Sequence, residues 1–547
     1  MALSASEAFA SLSRDDSAIT PDAMESFAAS IKRELAVGGA ELHADVADVV
    51  AATRDGSDAS SVVVVDVRSP GEFAKGHIPG AVNVPLFTDE ERASVGMCFA
   101  KRGRGPAMVL GMRAVRPKLD VMHRRILALA DDASRRARGP AATPRGQVTV
   151  YVHCWRGGMR SCSVTWLLLH ASPPGVLDAR VLRGGYKAFR RWALSRWTNP
   201  DADAVTRSSS SSSLASSISS HATAAGSDET VAALAEPRAG GTADERQGQG
   251  QGPGGEGPDE ASAAAAAAAA ARRAGPRVCI VGGRTGVGKT RALLALRDLG
   301  AQVIDLEGLA AHSGSAFGWV GRPARQPTSE HFGNLVACAW SRLSPAPAWV
   351  FIEDEGPHVG KCSVDPGLFK RMRHAPLVIN VVAPERVRLR TLTRDYASPE
   401  RVADPGWLPA MTESVGKLAK RLGGKRASEL SERLREGEYA AVAEGLLEYY
   451  DGLYDRHLGN KRVDRRKEGG GRAGEREKGE RTKGGDGDAT DAEEEARGGK
   501  TVVVHANGIG PEGDELDAET LAREILEATR AFDAEEEADA SREGSDD

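Results

Sequence analysis

No apolar run in the 547-residue chain approaches the roughly 20 residues a helix needs to cross a bilayer, so no membrane-spanning segment is expected. Cysteine is scarce. Cys98, Cys154, Cys162, Cys279, Cys338 and Cys362 contain no CxxC pair, which argues against a zinc ribbon and leaves no disulfide framework. Reduced thiols in an intracellular compartment follow. The opening MALSASEAFASLSRDD lacks the continuous apolar core of a secretory leader, and Asp15 and Asp16 count against an organelle transit peptide. The cytoplasm is the expected location. A surplus of positive charge is also missing: 72 Lys and Arg face 77 Asp and Glu, for a net −5. That excludes a chain gripping nucleic acid over its whole surface, but not a local basic groove. Aromatics reach only 5%, yet 41% hydrophobic residues are enough for cores, and the length calls for two or more domains.

Composition then divides the chain. Residues 1–55 read as an N-terminal extension and 56–198 as a first folded block. Residues 199–275, with the serine run Ser208–Ser213, GQGQGPGGEGP and an alanine tract from Ala263, read as a disordered low-complexity linker. A second block covers 276–460, with a helical C-terminal part. A mixed-charge insert at 461–500 precedes a C-terminal strand and helix at 501–533, and 534–547 reads as an acidic tail. In both blocks strands alternate with helices: SVVVVDVRS, GQVTVYVHC and ARVLRGG in the first, PRVCIVGG, QVIDLEG, WVFIEDEG and LVINVVAP in the second. The expected fold class is α/β, two parallel-sheet domains joined by the linker.

Cys154 ends a predicted strand, and Trp155, Arg156, Gly157, Gly158, Met159, Arg160 and Ser161 follow before a helix. A strand-loop-helix turn points backbone N–H groups inward, and the helix N-terminus adds positive partial charge. Both favour a thiolate at Cys154, and Arg156 and Arg160 are expected to push the same way. Cys154 is therefore the candidate nucleophile, while Cys162, inside the following helix, reads as structural. The C-x5-R spacing is shared with cysteine phosphatases and does not by itself decide the chemistry.

In the second block Gly283, Arg284, Thr285, Gly286, Val287, Gly288, Lys289 and Thr290 satisfy G-x-x-x-x-G-K-[ST], with a strand before and a helix after. The glycines expose backbone donors to a diphosphate, Lys289 supplies a point charge, and Thr290 can reach a bound Mg²⁺. Asp305 and Glu307, with Glu353 and Glu355, stand at strand ends and form a candidate second acidic site.

The string DVRSPGEFAKGHIPGAVNVP resembles the rhodanese domain, with Asp66 and Arg68 as support for the Cys154 loop; Glu72 and His77 are expected to stabilise the turn. With LFTDEERASVGMCF, HCWRGGMRS, GRTGVGKT, DLEGLAAHSGSAFG, RQPTSEHFGNL, IEDEGPHVGKCSVDP and LLEYYDGLYDRH, the chain resembles the tRNA 2-selenouridine synthases, a rhodanese domain followed by a P-loop domain. It departs from that pattern at Gly356 and Pro357 in the acidic turn, and at Phe99 and Ala100 beside Cys98, whose role stays open. The resemblance implies tRNA as partner, bound at the anticodon loop, and replacement of the sulfur of a wobble 2-thiouridine by selenium from selenophosphate. It also implies S-geranylation from geranyl diphosphate as the intermediate step, with Cys154 carrying selenium as a perselenide. No tightly bound cofactor is expected; selenophosphate and geranyl diphosphate enter as substrates, and Thr290 is a candidate contact for Mg²⁺. Candidate phosphate contacts on tRNA are Lys101, Arg102, Arg104, Arg113 and Arg116, and separately Lys417, Lys420, Arg421, Lys425 and Arg426. The alternatives are a thiosulfate sulfurtransferase or cysteine phosphatase fused to a kinase-like domain, and a catalytically inert tRNA-binding scaffold.

Overall fold

The computed structural model describes residues 19–37, 42–53, 62–138, 147–173, 175–198, 276–321, 325–344, 348–461, 499–509, 513 and 515–543. The expected linker at 199–275 and nearly all of the charged insert lie outside the described residues.

In the first domain β1 (His43–Ala44), β2 (Val62–Asp66), β3 (Val82–Asn83), β4 (Val148–His153) and β5 (Leu177–Leu182) line up in the order β1-β5-β4-β2-β3. Every pairing is parallel. The central strands are buried on both faces, as their valine runs require of a sheet covered by helices on each side. Asp66 pairs with His153 in the register, so the residue after β4, Cys154, leaves the sheet at its carboxyl edge.

Within the stretch 1–55, expected as an extension, the described residues 19–37 and 42–53 pack onto this domain instead. Met24, Phe27, Ile31 and Leu35 lie on one face of the helix Pro21–Val37 and are buried in the first core, while β1 pairs with β5. The apolar face is narrow and interrupted by Ser, Glu and Lys, and β1 has only two residues, so composition alone hides both.

The second domain carries β6 (Arg277–Gly283), β7 (Gln302–Ile304), β8 (Trp349–Glu353), the hairpin β9 (His358–Val359) and β10 (Cys362–Ser363), β11 (Leu377–Val382), β12 (Lys500–His505), and the hairpin β13 (Gly508–Ile509) and β14 (Glu515–Leu516). Its main sheet is parallel in the order β12-β11-β6-β8-β7. The strand expected near 501–508 is thus the edge strand of the P-loop domain, paired along its length with β11. The last helix, Ala518–Glu543, buries Leu521, Ala522, Ile525 and Phe532 against that sheet. It runs on into the stretch expected as an acidic tail from 534, since Ala and Glu are good helix formers and Arg277 holds Asp533 and Glu536. The helices Trp407–Leu422, Gly424–Glu436 and Tyr439–Lys461 form a side layer with its own core around Trp407, Val415 and Leu430.

The two domains are docked. The helix Gly185–Thr198 closes the first domain, yet its Ala193 and Trp197 are buried in the second domain's core, with the Trp197 and Trp340 rings 5.1 Å apart. A polar set surrounds this contact. Asn334 donates to the His77 carbonyl at 2.9 Å and to the Tyr186 hydroxyl at 2.8 Å, and it accepts from Arg190 at 3.0 Å. The His77 ring is sandwiched between Phe73 and His331.

Trp197→Ala should therefore destabilise the second domain by roughly 3–5 kcal/mol, although the residue lies on the last helix of the first domain. Arg191→Ala, exposed on the same helix, should change little. Urea unfolding followed by circular dichroism separates the two outcomes.

Candidate functional site

The Cys154 loop is fixed by interlocking backbones. Tyr186 N–H donates to the Cys154 carbonyl and Lys187 N–H to the Trp155 carbonyl, both at 2.9 Å. Gly157 (φ +66°) and Gly185 (φ +58°) face one another across this contact. A Cβ on Gly157 would fall 2.6 Å from the Leu182 carbonyl oxygen, and one on Gly185 would fall 2.4 Å from that of Cys154, so only glycine fits at either place. Cys154 is 3% exposed, and its sulfur accepts from Gly158 N–H at 3.3 Å and lies 3.3 Å from the Ser161 hydroxyl, where the helix Met159–Ala171 begins. Trp155 and Arg156 stand exposed at the mouth.

Arg160, expected to bias the sulfur electrostatically, is held by Glu72 at 2.9 Å, which draws its charge toward the carboxylate. Burial raises the pKa of Glu72, but the charge and hydrogen bond of Arg160 outweigh it and leave Glu72 below the ordinary value. Glu72 also closes a capping box with Ser69, as its turn-stabilising reading requires. His77 does more than stabilise the turn, because it contacts the second domain. Asp66 and Arg68 form a buried pair at 2.6 Å under the loop; Arg68 also donates to the Gly76 carbonyl and lies 3.9 Å over the Tyr186 ring. Burial opposes ionisation of Asp66, but nearby His153 and the bonds and charge of Arg68 more than offset it. Burial, with the neighbouring Cys154, pushes the Cys162 thiol up to about 11, consistent with an inert structural residue. Cys98 sits on the helix Asp89–Arg102.

In the second domain β6 runs into the phosphate loop, with positive φ at Gly283, Gly286 and Gly288. A Cβ at Gly283 would meet the Val381 carbonyl oxygen at 2.4 Å. Buried Val287 anchors the loop from within. Arg388 donates to the Thr285 carbonyl at 2.9 Å and pairs with Asp451, which Arg284 also approaches at 3.7 Å. The Tyr454 hydroxyl accepts from Gly283 N–H at 2.6 Å, and Lys289 Nζ donates to the carbonyls of Gly283 and Arg284 at 2.7 and 3.3 Å. Those are the donors an anionic phosphate would take over.

The four expected acidic residues divide by role. Thr290 donates to Glu307 at 3.1 Å, and Glu355 lies beside Glu307 and Lys289. Burial, then the charge of Glu307, pushes Glu355 up to about 8. Glu353 is buried, accepts from Leu306 N–H at 2.8 Å, and is held well above its ordinary pKa by burial and then by Asp305 and Glu307. Asp305 is spent on capping the helix Leu306–Leu309 through Gly308 N–H. Among the described residues no group of three or more His, Cys, Asp or Glu side chains is placed to hold a metal. Thr290 with Glu307 nonetheless supplies two hard oxygens at the end of a phosphate cradle, a donor set that suits Mg²⁺ completed by substrate oxygens. Sequence reasoning assigned no role to Tyr186, Tyr454, Glu330 or the Arg388–Asp451 pair, although Glu330 lies in RQPTSEHFGNL and Asp451 and Tyr454 in LLEYYDGLYDRH.

The basic candidates also separate. Lys101, Arg102, Arg104 and Arg113 are exposed and make no ion pair with the described residues. In the second run Lys417 pairs with Glu413, Lys425 with Glu429 and Arg426 with Glu448, while Arg421 binds the Tyr449 hydroxyl. No helix among the described residues is long and apolar enough to cross a membrane.

Residues 276–473 match the family model described as the tRNA 2-selenouridine synthase AAA domain, and residues 49–191 match the rhodanese-like domain. The chain is 29% identical over 426 residues to a tRNA 2-selenouridine synthase of Marinobacter nauticus, covering 74% of this chain and 90% of that protein. It is 31% identical over 416 residues to one of Pseudomonas entomophila, covering 72% and 86%. A third relative, from Hahella chejuensis, shares 30% over 435 residues, covering 74% and 88%.

Glu355 yields a pH prediction. Its pKa is raised in the fold, so the folded chain holds a proton that the unfolded chain releases near pH 4.5, and stability falls as pH rises from there toward about 8. Between pH 6 and pH 8 the wild type should lose about 2 kcal/mol more than Glu355→Gln. Urea midpoints at the two pH values measure it.

Proposed function

The chain belongs to the tRNA 2-selenouridine synthase family, and on that premise we propose that it replaces the C2 sulfur of a wobble 2-thiouridine by selenium in two stages, with geranyl diphosphate as alkyl donor and selenophosphate as selenium donor. In the first stage the thiocarbonyl sulfur attacks C1 of the geranyl chain. A C–S bond forms, the C–O bond to diphosphate breaks, and the N3 proton is released. Alkylation matters because the sulfur can then leave as a thiolate, whereas a bare thiocarbonyl would have to leave as sulfide. In the second stage the Cys154 sulfur adds to C2, the bond from C2 to the alkylated sulfur breaks, and geranyl thiol departs with the proton Cys154 gave up. Selenophosphate selenium displaces Cys154 from C2, water removes the phosphoryl group as phosphate, and N3 recovers its proton. Selenium is already at the selenide level in selenophosphate, so this route needs neither oxidant nor reductant. A perselenide on Cys154, the form the resemblance implies, would need an additional redox step.

The phosphoryl ends of these donors belong in the Gly283–Thr290 cradle, with Lys289 turning from its carbonyls to the anion and Mg²⁺ at Thr290 and Glu307. The anticodon loop offers its wobble base outside a duplex stack, and Lys101, Arg102, Arg104 and Arg113 take its phosphates, in the cytoplasm where tRNA and reduced thiols coexist. The observation that carries this reading is the amide-held sulfur of Cys154 in the same docked body as a complete phosphate cradle.

Mass analysis of tRNA nucleosides tests it. Wild-type protein with geranyl diphosphate should give the S-geranyl nucleoside, and adding selenophosphate should give 2-selenouridine. Cys154→Ala should keep the first product and lose the second by about 10³-fold or more, while Lys289→Ala should lower donor-dependent turnover about 10²-fold. Hydrolysis of small phosphoesters, or sulfur transfer from thiosulfate, with tRNA unchanged would overturn the proposal.

A further inference from the structure

An apolar cavity of about 270 Å³ lies inside the first domain, behind the Cys154 loop. Its walls come from the helices Pro21–Val37, Asp89–Arg102, Arg104–Val115 and Met159–Ala171. Five of the chain's nine methionines line it: Met24, Met108, Met112, Met122 and Met159. Such a concentration is unlike an ordinary core. Thioether side chains are flexible and polarisable, and they accumulate where a wall must adapt to an apolar guest. Phe99 stands on the rim, 59% exposed, with Met97 nearby at 57%. Met159 and Arg160 in its wall directly follow Gly158, whose N–H holds Cys154.

Size selects the occupant. An apolar cavity of about 150 Å³ takes up benzene, roughly 25 Å³ per carbon, so about 270 Å³ holds on the order of ten carbons. The apolar pocket beside the phosphate loop, between Thr285 and Tyr450, offers about 70 Å³, enough for only about three carbons on the same scale. We infer that the cavity behind Cys154 receives the ten-carbon hydrocarbon of the S-alkylated wobble base while the second stage takes place. This rests on the two-stage reading above. It adds a site: the leaving thiol is held by its tail next to the nucleophile that expels it. Binding energy from the remote chain would then position C2 against the Cys154 sulfur, and a substrate with a truncated chain would lose rate as well as affinity.

The test uses full-length protein and tRNA alkylated chemically beforehand with either a geranyl or a methyl group on the wobble sulfur, so that the first stage is bypassed. With selenophosphate, wild-type protein should convert the geranyl substrate at least tenfold more efficiently than the methyl one. Ala107→Trp, which fills the cavity, should abolish that preference by slowing only the geranyl substrate. Met112→Ala, which enlarges it, should shift the preference toward a fifteen-carbon farnesyl substrate, and this variant serves if Ala107→Trp does not fold. Equal conversion of both substrates by wild type, or an unchanged chain-length preference in Met112→Ala, overturns the cavity assignment and leaves the selenation reading standing. Failure of wild type to convert any alkylated tRNA, with the fold intact, overturns both.

Discussion

Tyr186 is the residue on which the arrangement of both centres depends. Its backbone N–H holds the carbonyl of Cys154, its ring carries the Arg68 guanidinium at 3.9 Å, and its hydroxyl reaches into the second domain, donating to Glu330 at 2.6 Å and accepting from Asn334 at 2.8 Å. It is fully buried, and burial together with the Glu330 hydrogen bond pushes its phenol well above the ordinary range. A neutral hydroxyl is thereby secured as a donor. One side chain thus ties the curl of the sulfur loop, the buried Asp66–Arg68 pair and the position of the second domain together. Breaking that pair would leave an uncompensated charge beside the loop, which is why its cost should exceed that of a surface ion pair.

The second centre is built on a different principle. At the sulfur loop, backbone carbonyls and glycines leave no room for variation. At the phosphate loop, Lys289 rests on two carbonyls and a cluster of carboxyls waits beside it, with Glu355 retaining its proton to about pH 8. Such a cluster is costly alone and becomes favourable when a cation binds beside it. The first site is preformed, whereas the second is poised to rearrange on binding.

Most of the fold was legible because its signals are local. Valine runs ending in Asp66 and Cys154 mark buried parallel strands, and the spacing of Gly283, Gly288 and Lys289 means little except between a strand and a helix. The family was legible for the same reason, through short strings at the sheet edges. What escaped depends on contacts between residues far apart. Asp305 and Glu307 look alike in sequence, and only the fold shows that one caps a helix and the other meets Thr290. Arg160 looks like an activator until Glu72, 88 residues away, takes its charge. The helix Pro21–Val37 escaped because its large buried side chains, Met24, Phe27, Ile31 and Leu35, are spread over three turns among polar neighbours. Tyr186, Asn334 and His77 lie in or beside short family-like strings, but their role is set by an interface that no string reveals.

That interface also explains how the chain carries its long low-complexity stretches. The linker leaves from the end of the helix Gly185–Thr198, whose Trp197 is already embedded in the second domain, and the chain re-enters that domain at β6. The charged insert leaves from the end of the helix Tyr439–Lys461 and returns into β12, an edge strand held by six successive register pairs with β11. In both cases the two ends are fixed by packing among described residues. Closure entropy grows only with the logarithm of loop length, about 0.6 kcal/mol per doubling, so lengthening either stretch costs little against a buried tryptophan or a completed strand. The distance between the sulfur and phosphate centres is set by the contacts of Tyr186, Trp197 and Asn334 across the domain interface.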